Sequence, residues 1–138
     1  MVPTDFVLWR STTLRRNPRV SWQARQAVGL WLADAEPGVR SDALQIVAEL
    51  VANVLQHVPG GPGRDWVGVR LGFGGGFVRV EVIDPGVPDP GPCFVPRQVG
   101  ALAEAGRGLG IVASLSAGRG TRLVAGGRRV VWADVAAG

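Results

Sequence analysis

The sequence predicts an α+β two-layer sandwich: a mixed, mostly antiparallel sheet with helices on one face. Three observations point there. Residues 66–73 and 77–84 alternate apolar and polar and are joined by Gly74-Gly75-Gly76, the pattern of a hairpin. A second pair of strand-like runs, 121–124 and 128–135, flanks Ala125-Gly126-Gly127. Two segments with helical spacing precede both pairs, one directly after the other. Strands grouped apart from helices favour this architecture, whereas a doubly wound nucleotide fold needs strict alternation of strand and helix.

Residues 6–10 read as a first strand, whose Phe6-Val7-Leu8-Trp9 face serves either contacts with another chain or the edge of its own core. Asn17-Pro18 reads as a helix start, with Asn as cap and Pro in the first turn. Val20, Ala24, Ala27, Val28, Trp31, Leu32 and Ala35 then recur at helical spacing, and Pro37-Gly38 ends that helix. Ser41 is placed to cap a second helix, which runs to about Val58 and stops at Pro59-Gly60-Gly61. In the first hairpin Val67, Val69 and Leu71 share a face, as do Val78, Val80 and Val82, with Arg79 and Glu81 opposed to them. Prolines at 85, 88, 90, 92 and 96 exclude regular structure from the next loop. A short helix over 98–105 and another over 111–116 follow, the second entered through Gly106-Arg107-Gly108-Leu109-Gly110.

The 138 residues make one domain's worth of chain, read as a single unit over 1–138, with 46% hydrophobic and 19% charged residues, which excludes a disordered tail. No apolar run approaches the ~20 residues of a membrane span, no signal-peptide pattern opens the sequence, and Cys93 is the only cysteine. A reducing cytoplasm is therefore the expected compartment. All 15 basic residues are Arg, giving a net charge of +4. They are scattered, with no run longer than two, so direct nucleic-acid binding is not expected.

Three segments hold residues suited to chemistry. On the second helix Gln45, Glu49, Asn53, Gln56 and His57 fall within an arc of about 120° at ~100° per residue. The stripe is either the solvent side or a working face; it holds one carboxylate, three amides and a histidine, where a solvated stripe usually carries Lys, Arg or several Glu. A carboxylate can accept a proton, and an amide oxygen is a hard ligand suited to Mg²⁺. Asp84-Pro85-Gly86 ends a strand; it is either an ordinary turn or an acceptor for an exocyclic amine beside a glycine that admits a ligand. The three glycines at 106, 108 and 110 suit either a hinge or a cradle of backbone N–H groups for an anion.

In that order, and within about 60 residues, the set resembles the histidine kinase-like ATPase superfamily, with its Bergerat ATP-binding fold, and most closely its small anti-sigma factor serine kinases. Glu49-Leu-Val-Ala-Asn53-Val-Leu-Gln-His57 is similar to the family's first ATP box, Ile83-Asp84-Pro-Gly86 to its second and Gly106-Arg107-Gly108-Leu109-Gly110-Ile to its third. The ending Val131-Trp132-Ala133-Asp134-Val135 resembles its terminal strand.

The resemblance implies a set of roles. Asn53 would hold Mg²⁺ against the phosphates of ATP, and Glu49 would take the proton from a serine hydroxyl or water. Asp84 would recognise the adenine amino group above Gly86, and the segment 106–110, with Arg107 and Leu109 between its glycines, would wrap the phosphates beneath a lid that includes 85–97. His57, one turn further along, either touches nucleotide or caps and packs. Positioning and charge neutralisation are what phosphoryl transfer chiefly needs, and an acid with an amide one turn away is a minimum set. Implied partners are a sigma factor and an anti-anti-sigma antagonist, with the chain acting as a homodimer. The sequence departs from the family where Val87-Pro88 follows Gly86 in place of another glycine, and where Val130 stands at the family's adenine-facing threonine. Both changes are expected to weaken ATP binding, which keeps a second function in view: an adaptor, nucleotide-binding or nucleotide-free, that regulates by protein binding alone.

Overall fold

The structure, a computed structural model, describes residues 6–87 and 107–137. Its strands are β1 (Leu8–Arg15), β2 (Trp66–Gly74), β3 (Phe77–Asp84), β4 (Gly118–Leu123) and β5 (Arg129–Ala136). They form one sheet in the order β1-β2-β3-β5-β4, every neighbouring pair antiparallel. The helices are α1 (Val20–Trp31), α2 (Pro37–His57) and α3 (Arg107–Leu115). Helix α2 lies centrally, against α1, α3, β3 and β5. The two layers meet in one core, in which Val67, Val69, Leu71, Val80, Val82 and Ala133 of the sheet face Val28, Ile46, Val47, Leu50 and Val54 of the helices. This is the expected α+β two-layer fold, with the sheet antiparallel throughout.

Several boundaries differ from the sequence expectation. Strand β1 continues to Arg15, because Ser11-Thr12-Thr13 pairs along β2 as far as Arg15 opposite Trp66. Helix α1 closes at Trp31, six residues before Pro37-Gly38. That dipeptide opens α2: Glu36 is its cap, accepting the Gly38 N–H at 3.3 Å, and proline at the first position gives up an N–H that has no partner there. Ser41 therefore lies inside α2 and is not its cap. Asn17 is not the cap of α1, a place Arg19 takes, and Pro18 lies before the first turn; Asn17 Oδ1 accepts the Arg19 N–H at 2.7 Å in the bend ahead of the helix. Helix α3 begins at Arg107, four residues before the expected start. The expected helix over 98–105, most of the proline-rich loop and Cys93 lie outside the described residues.

The sheet's other face is not the plain polar surface that alternation implies. Glu81 is 1% exposed, bridged by Arg70 at 3.3 Å and Arg122 at 3.1 Å. Trp9 lies against Gly72 and under Arg70, and Trp132 against Gly120 and under Arg79. Arg79 also grips Asp134 through two hydrogen bonds of 2.7 and 2.9 Å, and this contact, with Glu81 adding to it, holds its guanidinium above the ordinary arginine value despite partial burial.

Candidate functional site

The polar stripe of α2 is not uniformly solvated. Gln45, Gln56 and His57 are exposed and Glu49 is half-buried, but Asn53 is only 6% exposed. The helix is fixed by the apolar residues of its other sides, from Val39 to Val54. A solvent-facing stripe would leave its middle the most exposed; here the middle is sheltered. Glu49 and Asn53, one turn apart, share this sheltered part of the helix. His57 is the last residue of α2.

Asp84 is the last residue of β3, completely buried. Its Oδ1 accepts the Gly86 N–H at 2.7 Å, which shapes the turn. Its Oδ2 accepts from Arg129 Nε at 3.0 Å, with Arg129 Nη2 also at 3.0 Å. Arg129 is itself 3% exposed. Gly86 has φ +76°, and a Cβ there would lie 2.2 Å from the Gly127 carbonyl oxygen. Arg64 Nη2 donates to the Gly86 carbonyl. The glycine is thus required by the chain's own packing, before any ligand is considered.

The register corrects one expectation. Asp84 pairs with Arg129 and Ile83 with Val130. Residues directly opposite share a face, and successive residues alternate. Val130 therefore lies on the face away from the helices, where it lines a shallow groove with Thr13, Ile83 and Arg122. The residue facing Asp84 is Arg129, not Val130. Arg129 and Arg64 are the members of this site that the sequence did not disclose. They stand among fifteen scattered arginines, and strands β3 and β5 are not consecutive, so their register could not be counted from a turn.

The third segment forms the opening of α3. Arg107, Gly108, Leu109 and Gly110 are its first four residues, and Gly106 lies outside the described residues. The first four N–H groups of a helix have no partner within it, which leaves them able to bind an anion. Gly110 is exposed, and a Cβ there would meet nothing within 4 Å. Gly110→Ala should therefore stabilise α3 by up to about 1 kcal/mol. If these N–H groups bind an anion such as a phosphate, the methyl should also weaken that binding. Melting temperature and calorimetric titration of the same variant check the two effects; a gain in both would remove the phosphate role of this glycine.

Helix α2, which bears Glu49 and Asn53, contacts β3 and β5, which bear Asp84 and Arg129, and also α3, which opens with residues 107–110. Among the described residues no three His, Cys, Asp or Glu side chains are grouped to hold a metal. Asn53 Oδ1 would offer a divalent cation one hard oxygen ligand, the rest of its shell being left to water and ligand oxygens. Among the described residues no helix is long and apolar enough to cross a membrane.

Fold and site together define an α+β domain of the ATPase type. Residues 15–131 match the family model of the histidine kinase-like ATPase domain, and the chain belongs to that family. Membership implies ATP as ligand. None of the curated proteins matches the chain. Among solved structures, the RsbU and RsbW domains of Rv1364c from Mycobacterium tuberculosis superpose with a TM-score of 0.67 at 19% identity, over 94% of this chain and 32% of that one. The chain thus spans about a third of that relative's length. A chain of the SiaB-SiaC complex from Pseudomonas aeruginosa superposes with a TM-score of 0.61 at 16% identity, over 94% of this chain and 89% of that one. These likenesses establish the fold.

Proposed function

We infer that this chain is an ATP-dependent protein serine/threonine kinase of the anti-sigma type. On this reading it sequesters a sigma factor and phosphorylates an anti-anti-sigma antagonist, working as a cytoplasmic homodimer. The observation that supports it most is the burial of Asn53 to 6% exposure one turn from Glu49, on the helix that touches β3 and α3, the elements carrying Asp84 and residues 107–110. The match to a structure of a SiaB-SiaC complex is in keeping with a protein partner.

Bound Mg-ATP supplies the phosphoryl group. Asn53 Oδ1 would hold the Mg²⁺ that neutralises the phosphates, and Glu49 accepts the proton of the attacking hydroxyl as its oxygen bonds the γ-phosphorus, the bond from that phosphorus to the β-phosphate oxygen breaks and ADP leaves. Asp84 addresses the base, and the N–H groups at the start of α3 address the phosphates. His57, on the exposed end of α2, has the lesser role of a nucleotide-edge contact, and Arg107 and Leu109 belong to the segment that binds the phosphates. The reading follows the same separation of binding from chemistry that phosphoryl transfer generally shows.

Two substitutions test it. Calorimetry with Mg-ATP should show binding that Asn53→Ala abolishes, a loss of about 100-fold or more once the cation has no protein ligand. Glu49→Ala should keep the affinity but lose transfer of labelled phosphate to antagonist proteins of the same genome, by about 100-fold or more for a missing general base. Equal transfer by wild type and Glu49→Ala would exclude Glu49 as the base. The adaptor reading is favoured by one observation, the engagement of both Asp84 oxygens within the chain. It gains if wild type gives no heat with ATP or ADP yet still binds its protein partners.

A further inference from the structure

We propose that the helix-free face of the sheet carries a docking groove for an extended, acidic peptide segment of a partner protein, a role separate from the nucleotide site. The groove follows one rung of the sheet. Thr13, Gly68, Ile83, Val130 and Arg122 stand opposite one another on β1, β2, β3, β5 and β4, and so share the face turned away from the helices. Glycine, threonine and valine keep the rung low, and the space above it measures about 370 Å³. It crosses all five strands, about 19 Å at ~4.8 Å per spacing, the span of roughly six residues of extended chain. Ile83 and Val130 give its floor an apolar middle suited to aliphatic side chains.

The charge of the groove selects its occupant. Arg70, Arg122 and Arg128 line it, and among the described residues no acid does. Glu81 lies beneath, braced between Arg70 and Arg122, whose side chains stay 38% and 42% exposed. Arg128 is exposed, with its Nε on the Ala125 carbonyl at 3.2 Å. One carboxylate thus stands against three guanidiniums of five N–H donors each, which leaves positive charge and donors for carboxylates from outside. These arginines are scattered in sequence, and the strand order gathers them. Single-stranded nucleic acid fits the groove less well, because it needs a row of open aromatic faces. Trp9 and Trp132 are already packed against Gly72 and Gly120 under Arg70 and Arg79, and Trp66 is the one aromatic among the described lining residues. A second copy fits less well too, since a two-fold axis here would set this basic rung against itself.

The test is an anisotropy titration of the full chain at about 0.15 M salt, with a rhodamine-labelled hexapeptide of alternating glutamate and valine as probe. Binding should saturate, and the counterpart with glutamine for glutamate should bind about tenfold more weakly or worse, having lost its charge-assisted hydrogen bonds. Thr13→Glu and Arg128→Glu each bring an acid to the groove at an exposed position, and each should weaken the glutamate peptide by about tenfold. Arg25→Glu reverses an equally exposed charge on α1, in the other layer, and should leave binding within about twofold. Binding that never saturates, or a loss no greater in Arg128→Glu than in Arg25→Glu, overturns the proposal. Tighter binding of a thymidine hexanucleotide that Arg128→Glu abolishes would overturn it in favour of nucleic acid. A wild-type dimer that sedimentation shows Arg128→Glu to dissociate would overturn it in favour of a second copy. All of these outcomes leave the ATP reading untouched, and failure to bind ATP leaves the groove untouched.

Discussion

Asp84→Ala should lower the stability of the fold by about 3–5 kcal/mol, the range for a buried pair broken on one side. Asp84 is 0% exposed and Arg129 3%, so the substitution leaves a cation inside the protein without this carboxylate. It also removes the acceptor of the Gly86 N–H. Against a total of about 5–15 kcal/mol for a typical domain, this is a large share. With about 2 kcal/mol per molar urea for a small domain, the unfolding midpoint should fall by about 2 M. The double variant Asp84→Ala/Arg129→Met should recover most of the loss, because no charge then remains to be buried. Urea denaturation of the three proteins decides it. A single variant within about 1 kcal/mol of wild type would show that the pair does not tie β3 to β5. This result is independent of whether nucleotide binds.

The same pair marks the limit of what the amino-acid order disclosed. The hairpin of β2 and β3 was legible because Gly74-Gly75-Gly76 separates two runs whose alternation survives in the core, with Val67, Val69, Leu71, Val80 and Val82 all buried. The far end of α2 was legible for a similar local reason, since Pro59 and the glycines after it permit nothing else. The helix starts were not. Pro37-Gly38 is punctuation at either end of a helix, and only Glu36, placed to accept the Gly38 N–H, makes it a beginning. The sheltered position of Asn53 could be guessed from the composition of its stripe, but its burial depends on which neighbours fold over it. Arg129 was out of reach for a different reason. Its partner Asp84 is 45 residues away on a strand that is adjacent in space alone, and a one-residue error in register exchanges it for Val130. Glu81 failed the same way: an alternating strand predicts a solvated acid, and only the arginines of β2 and β4 show why it can be buried.

Gly86→Ala should be the most damaging glycine substitution among those described. Two separate penalties meet there. At φ +76° an L side chain sits in the left-handed region, at a cost of about 1–2 kcal/mol. The new Cβ would also lie 2.2 Å from the Gly127 carbonyl oxygen, so one backbone segment has to move. Movement is resisted on both sides of the residue, because Asp84 holds the Gly86 N–H and Arg64 holds its carbonyl. Gly126→Ala is the matched control: its φ is +80°, but a Cβ there meets nothing within 4 Å. The control should lose only the conformational cost, about 5 °C in melting temperature at roughly 4 °C per kcal/mol, while Gly86→Ala should lose about 10 °C or more. The difference between the two isolates the contact between the Asp84–Gly86 turn and the turn before β5. Equal losses would mean that the contact yields without resistance, and that the glycine of this motif is kept by something outside the chain's own packing.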